Sequence, residues 1–448
     1  VKKTIRHQAV DILNTVSQTR MFAGDLLDAG LDEQNLSGTA DGRLLTHLVY
    51  GVLRMQGHLD WILACLYRGD YAKMEDTVKN VLRTGLYQLK FSDRLPEFAV
   101  VDEAVKIAKR INQGAGGLVN AVLRSYLRNT EKIAFPSLEE NPAQHIATFH
   151  SHPLWLIHIW LDIFGREETL ALCQANNDLP PLTVRVNTLK ATREALAERL
   201  TAEGFACEVT KFSPDGIRLT DPPRPIQKTL FFKEGFVRLQ DEAAQMIAWL
   251  VSPQSGDSIL DVCAGSGGKT SHLAAQMQNK GRIVAMDRDM DKITQLKKDA
   301  SRMAVSIIDT RQADLSQPLS AEFTNCFDQV LVDAPCSGTG TLRRNPEIKW
   351  RLKDADLNIF SKAQKVILQN ASHAVKKDGR LIYCTCSLVP AENDDVIRQF
   401  LAANPQFTVE KKPAAIPDAL GDRRGFFRTY PQRHNTDGFF GAILRRRI

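Results

Sequence analysis

At 448 residues the chain is too long for one ordinary hydrophobic core, and two or three domains are expected. Its 43% apolar and 25% charged residues are those of a soluble globular protein, and no apolar run approaches the roughly 18 to 20 residues of a membrane span, so no membrane segment is expected. The net charge of +6 permits a polyanionic partner without demanding one; eight cysteines are too few for a disulfide scaffold and are read as thiols of a reducing compartment, the cytoplasm.

The opening "VKKTIRHQAVDILNTV" is basic at its start but alternates polar and apolar residues at helical spacing, unlike a secretory signal. Over 1–145, the stretches "LLTHLVYGVLRMQGHLDWILACLY", "TVKNVLRTGLYQLKF", "AVVDEAVKIAKRI" and "GLVNAVLRSYLRN" set Leu, Val, Ile and aromatic residues at i, i+3, i+4 and i+7, which predicts an all-α domain. "NQGAGG" reads as a glycine-rich turn before the last of these helices, and "FPSLEENPAQH" as a closing linker. Residues 146–235 begin with more helix and change to "PLTVRVNTL", the helix "REALAERLTAEG", "FACEVTKFS" and "GIRLT", a small α/β connector of RRM-like pattern.

Residues 236–448 alternate strand and helix: "DSILDVCAG", "KTSHLAAQM", "GRIVAMDRD", "KITQLKKDASRM", "SIIDTRQAD", "FDQVLVDAP", a long helix from "DADLNIF", and "GRLIYCTCS". The pattern predicts an α/β fold, a Rossmann-like, doubly wound parallel sheet whose ligands bind at the carboxyl ends of its strands. The terminal "RRR" reads as a solvated tail.

In "ILDVCAGSGGKT" a strand ends at Asp261 and a loop of Cys263, Ala264, Gly265, Ser266, Gly267 and Gly268 leads into a helix near Lys269. Small residues let backbone approach a ligand, and a helix amino terminus carries partial positive charge. A phosphate-binding P-loop needs glycine six residues before its Lys, where this chain has Cys263. The other ligand read by such a loop is S-adenosylmethionine, with Asp287, ending the second strand, as acceptor for the ribose hydroxyls and Asp314, ending the third, beside the adenine amino group. The competing reading makes each Asp a helix cap.

Two further strands each deliver a Cys followed by Ser: Cys336 in "DAPCSGTG" and Cys386 in "YCTCSLVPA". The fourth and fifth strands of such a sheet lie near its switch point, so the two thiols are expected in one crevice. Zinc is disfavoured, since the cysteines form no C-x-x-C pair and no His stands at ligand spacing; no metal is expected. A redox disulfide is disfavoured too, because thiol–disulfide enzymes usually place both sulfurs on one helix turn.

"DAPCSGTG", "RRNPEIKW", "YCTCSLVPAEN" and "DGFFGAIL" resemble RNA (cytosine-5)-methyltransferases of the bacterial RsmB (Fmu, Sun) family, and "YGVLR", "GLYQL" and "LVNAVLR" resemble that family's NusB-like RNA-binding domain. The resemblance implies S-adenosylmethionine as cofactor, small-subunit (16S) ribosomal RNA as partner, Cys386 as nucleophile, Cys336 assisting product release, and Asp333 on the cytosine's amidine edge and against the cofactor. It departs where the family usually has Ala-Pro and this chain has Gly265-Ser266, which makes the loop less rigid. A monomer is expected. A transfer RNA methyltransferase and a catalytically silent RNA-binding or antitermination factor remain the rival readings. Lys269, Trp350, Arg343 and Arg344 are each open between ligand contact and a structural role.

Overall fold

The computed structural model describes residues 3–92 and 95–447, which divide into two compact units, 1–179 with 342–352, and 180–341 with 353–448. The first unit is helical. Its helices Ile5–Gln18, Ala23–Glu33, Ala40–Leu66, Asp76–Phe91, Glu97–Ile111 and Gln113–Asn129 bury the predicted apolar stripes around Leu45, Leu48, Val52, Leu82 and Leu123. Their starts follow capping chemistry: Thr4 accepts from His7 N, and Thr39 from Gly42 N. "NQGAGG" is helix rather than turn. Asn112 caps it by accepting from Gly114 N and Ala115 N, and a Cβ on Gly116 would lie 2.6 Å from Lys109 Cγ, so glycine here permits close helix packing. Helices Pro142–Phe149 and Leu154–Asn177 group with this unit, and Gly165 kinks the second.

Residues 342–352, carrying "RRNPEIKW", also belong to the helical unit. Lys349 is buried, and its ammonium donates to Arg54 O, Ser151 O and Asn177 Oδ1. Trp350 Nε1 donates to Leu53 O, so this ring anchors the segment in place. Helix Ala23–Glu33 has no side-chain cap of its own; Glu347 supplies one by accepting from Ala23 N. A buried carboxylate at a helix amino terminus satisfies an orphan donor and meets the dipole.

The second unit holds two sheets. In the first, β1 (Leu182–Val186), β2 (Ala206–Val209), β3 (Gly216–Thr220) and β4 (Val237–Leu239) run antiparallel in the order β2-β3-β1-β4, with helix Arg193–Ala202. The predicted strand–helix–strand–strand pattern is present, with β4 added. In the second, β5 (Ser258–Asp261), β6 (Arg282–Asp287), β7 (Ile308–Gln312), β8 (Phe327–Asp333) and β9 (Val375–Thr385) are mutually parallel. The sheet is mixed rather than wholly parallel. β10 (Phe407–Glu410), β11 (Phe427–Thr429) and β12 (Phe439–Arg446) are antiparallel, giving β10-β12-β9-β8-β5-β6-β7 with β11 paired to β12. "DGFFGAIL" is thus an inserted strand beside β9, and Arg445 and Arg446 of "RRR" extend it instead of forming a tail. The order places a switch point at β5, between β6 and β8, so a crevice opens at the strand carboxyl ends.

Candidate active site

After β5 the chain turns through Cys263–Gly267 into helix Gly268–Gln276. Gly267 has φ +81°, and a Cβ there would meet Leu296 Cγ at 2.6 Å, so only glycine fits. Gly265 has φ +55° with no atom within 4 Å of where a Cβ would sit, so bare backbone faces open space. Asp287 grips this loop: its Oδ2 accepts from Gly265 N and its Oδ1 from Asp289 N, both at 2.9 Å. Each oxygen keeps a lone pair for a hydroxyl donor. Asp261 is buried, and its Oδ2 accepts from Thr270 Oγ1 at 2.7 Å while Oδ1 has no partner among the described residues. Burial pushes this carboxyl up to about 7 against the opposing Thr270 bond.

Asp314 lies two residues beyond β7. It accepts from Ser316 N in a turn that no helix follows, so it does not act as a helix cap, and it also lines a cavity of about 240 Å³ with Met286, Arg311, Leu315, Gln317, Glu322 and Phe323. Its lining mixes polar and apolar side chains, and Asp314 offers an acceptor to an adenine amino group. Open backbone at Gly265 and the orphaned Asp261 oxygen fit the S-adenosylmethionine site expected here, which the Cys263–Gly268 loop, Asp287 and Asp314 would line. Cys263 contributes packing, with its thiol pushed up by burial and kept neutral.

The missing rigidity of Gly265-Ser266 is offset by residues outside the motif. Arg238 of β4 donates to both Ser266 O and Ser266 Oγ at 3.1 Å, a contact that proline has no hydroxyl to make. Arg185 of β1, wholly buried, donates to Gly268 O, Ser271 Oγ and Gln240 Oε1. The small sheet therefore braces the loop, a non-local role that no spacing in the sequence signals.

On the other side of β5, β8 and β9 end together. Cys336 Sγ and Cys386 Sγ lie 3.4 Å apart, both half-buried. Asp333, the last residue of β8, receives the Lys269 ammonium at 2.5 Å and the Cys384 thiol at 3.4 Å. Burial alone would lower the Lys269 pKa, but Asp333 and then the thiols of Cys384 and Cys386 outweigh it, and the ammonium is held charged. Lys269 is thus a member of the crevice, and it also lies over the Phe439 ring of β12, 5.1 Å from the centroid. The Cys336 thiol is pushed well up, first by its hydrogen bond to Cys386, then by burial and the charge of Glu392. Cys386 thus lies near the Lys269 cation, while the Cys336 thiol keeps its proton.

Comparison with known proteins fits this arrangement. Residues 248–445 match the 16S rRNA methyltransferase RsmB/F family, 3–128 the NusB family, and 152–227 the ferredoxin-like domain of RsmF/B-like methyltransferases. The probable ribosomal RNA small subunit methyltransferase B of Bacillus subtilis is 34% identical over 100% of this chain and 99% of its own length. The chain belongs to the RsmB/F family. A Synechocystis member of the family is 32% identical over 98% of this chain and 99% of its own. Among solved structures, PH0851 aligns over 99% of both chains at 26% identity with a TM-score of 0.84. A methyltransferase homolog protein from Pyrococcus horikoshii aligns over 68% of this chain and 99% of its own, at 27% identity and a TM-score of 0.60.

As an RsmB/F methyltransferase the protein uses S-adenosylmethionine, and Asp287 is the proposed ribose acceptor. Asp287→Ala removes two acceptor oxygens and the anchor of Gly265 N. It is expected to weaken cofactor binding by about 1 to 3 kcal/mol. Titration calorimetry on the free enzyme checks this, and an unchanged affinity would remove Asp287 from the ribose.

Proposed function

We propose that the protein methylates carbon 5 of a cytosine in small-subunit (16S) ribosomal RNA, in the cytoplasm, through a transient covalent bond from Cys386 to carbon 6. The observation that carries this reading is the pair of sulfurs 3.4 Å apart at the ends of adjacent strands, beside the Lys269–Asp333 pair. S-adenosylmethionine supplies an electrophilic methyl group. Carbon 5 of cytosine is too poor a nucleophile to take it unaided, and the two cysteines address that problem in sequence.

Cys386, held near the Lys269 cation, adds to carbon 6; the S–C6 bond forms as the C5=C6 electron pair moves to carbon 5, making it an enamine carbon. Asp333 accepts from the exocyclic amine of the base and keeps the ring oriented while charge builds. Once carbon 5 carries the methyl, its proton must leave. Cys336 is suited to receive it at that stage and not before. Its sulfur lies 3.4 Å from the one bonded to carbon 6, within reach of the adjacent carbon, and it acts there as a thiolate whose own proton has gone to solvent. As Cys336 takes the C5 proton, the double bond re-forms, the S–C6 bond breaks and Cys386 leaves as thiolate. The base must leave its stack to reach this crevice, which costs least in a loop or single strand. The NusB-like helical unit is the proposed reader of the surrounding RNA.

Incubation of the full-length protein with methyl-labelled S-adenosylmethionine and either small-subunit ribosomal RNA or transfer RNA tests the substrate. Label at one ribosomal cytosine, resistant to bisulfite conversion, is expected. Label in transfer RNA alone would favour the rival substrate, and cofactor binding without transfer to either would leave an RNA-binding factor.

A further inference from the structure

Each cysteine is followed by a serine, and the two serines share one partner. Glu392, in the short turn Pro390–Glu392 after β9, has an exposure of 0%. Its Oε1 accepts from Ser337 N at 2.8 Å and from Gln364 Nε2 at 2.9 Å. Its Oε2 accepts from Ser337 Oγ and from Ser387 Oγ, each at 2.5 Å. All four partners are neutral donors. A carboxylate is costly to bury and is retained where its hydrogen bonds are complete, as they are here. Around it, Thr339 Oγ1 lies 3.2 Å from Ser387 Oγ and accepts from Leu388 N, and Gly340 N donates to Cys386 O at 2.8 Å. The loop after β8 and the loop after β9 are therefore laced together through the residues adjoining the two cysteines.

We propose that Glu392 is a positioning residue, holding the Cys336 and Cys386 loops in one register so that both sulfurs address adjacent carbons of a single base. Adduct formation needs one sulfur at carbon 6. Release needs both at once, one still bonded to carbon 6 and the other at the carbon 5 proton. A loosened register therefore spares the first step and slows the second. Glu392→Gln turns one acceptor into a donor facing hydroxyl or amide donors, and Ser337→Ala or Ser387→Ala removes one arm of the clamp while leaving the carboxylate in place. For its kinetic consequence the proposal rests on the cysteine roles given above; the register itself is independent of them.

The test uses two readouts on the full chain. Dibromobimane fluoresces when two thiols displace both bromides, forming two C–S bonds with the protons lost to buffer, so its rate reports sulfur proximity in the free protein; Cys386→Ala sets the background. Glu392→Gln and Ser387→Ala are expected to lower the bridging rate at least fivefold, with S-adenosylmethionine affinity by calorimetry within twofold of wild type, and to accumulate an RNA adduct during turnover. A Glu392→Gln protein that also loses cofactor binding has lost its fold, and the serine variants then decide. Unchanged bridging in the serine variants would overturn the clamp. Reduced bridging with no adduct in any variant, Cys336→Ala included, would uphold the clamp and sink the assigned cysteine chemistry instead.

Discussion

Cys386→Ala is expected to abolish methylation, by at least about 10³-fold in kcat, together with every covalent enzyme–RNA species. Without a thiolate at carbon 6 the ring never becomes an enamine, and no other group of the crevice replaces it. The Cys384 thiol is buried and bonded to Asp333, and the Cys336 thiol, on the loop after β8, is placed for the carbon 5 proton and not for carbon 6. The proposed cofactor contacts Gly265, Asp287 and Asp314 lie at or just beyond the ends of β5, β6 and β7, away from the deleted sulfur, so S-adenosylmethionine affinity is expected to be unchanged. Activity of this variant within tenfold of wild type, measured as methyl incorporation into ribosomal RNA, would contradict the assignment.

Cys336→Ala is expected to behave in the opposite way. It retains the nucleophile and loses the base, so the methylated adduct forms and persists. Turnover falls by about 10² to 10⁴-fold, the usual worth of a general base, while a single turnover stays close to wild type. The wild-type release step carries the matching pH signature. A thiol base acts only when deprotonated, so from pH 7 to 9 release accelerates by up to about tenfold per pH unit and adduct lifetime shortens. In Cys336→Ala that slope is expected to disappear.

The parts of this site that were legible in the sequence are those built by local chain order. A strand ending in Asp261 followed by small residues is a loop whatever surrounds it, and Cys336 and Cys386 each sit at the end of an apolar run, so their meeting follows from strand order alone. What escaped notice depends on partners distant in sequence. β12 inserts antiparallel beside β9, a pairing that no periodicity encodes. Trp350 in "EIKW" stands open in the sequence between ligand contact and a structural role and Lys349 gives no signal, and only the carbonyls of Arg54, Ser151 and Leu53 show why they are bonded in the helical unit. Ser266 reads as a weakened proline until Arg238, on a strand of the other sheet, is seen to hold its hydroxyl. Glu392 lies in "YCTCSLVPAEN" beside Cys386, and nothing in that stretch signals that Ser337, fifty-five residues earlier, shares its oxygens with Ser387.

The central claim is that the two cysteines divide one reaction between them, and it is tested most directly by mass spectrometry of the species trapped on Cys336→Ala. The variant is incubated with a small-subunit ribosomal RNA fragment and S-adenosylmethionine, the denaturation-resistant band is isolated, and RNase and protease digestion leave a peptide bearing one nucleotide. The account predicts that this nucleotide is a cytidine heavier by one methyl group and that it is joined to the sulfur of Cys386. A methylated adduct that instead accumulates in Cys386→Ala and maps to Cys336 would reverse the roles, and a trapped cytidine carrying no methyl group would contradict a Cys336 that acts after transfer.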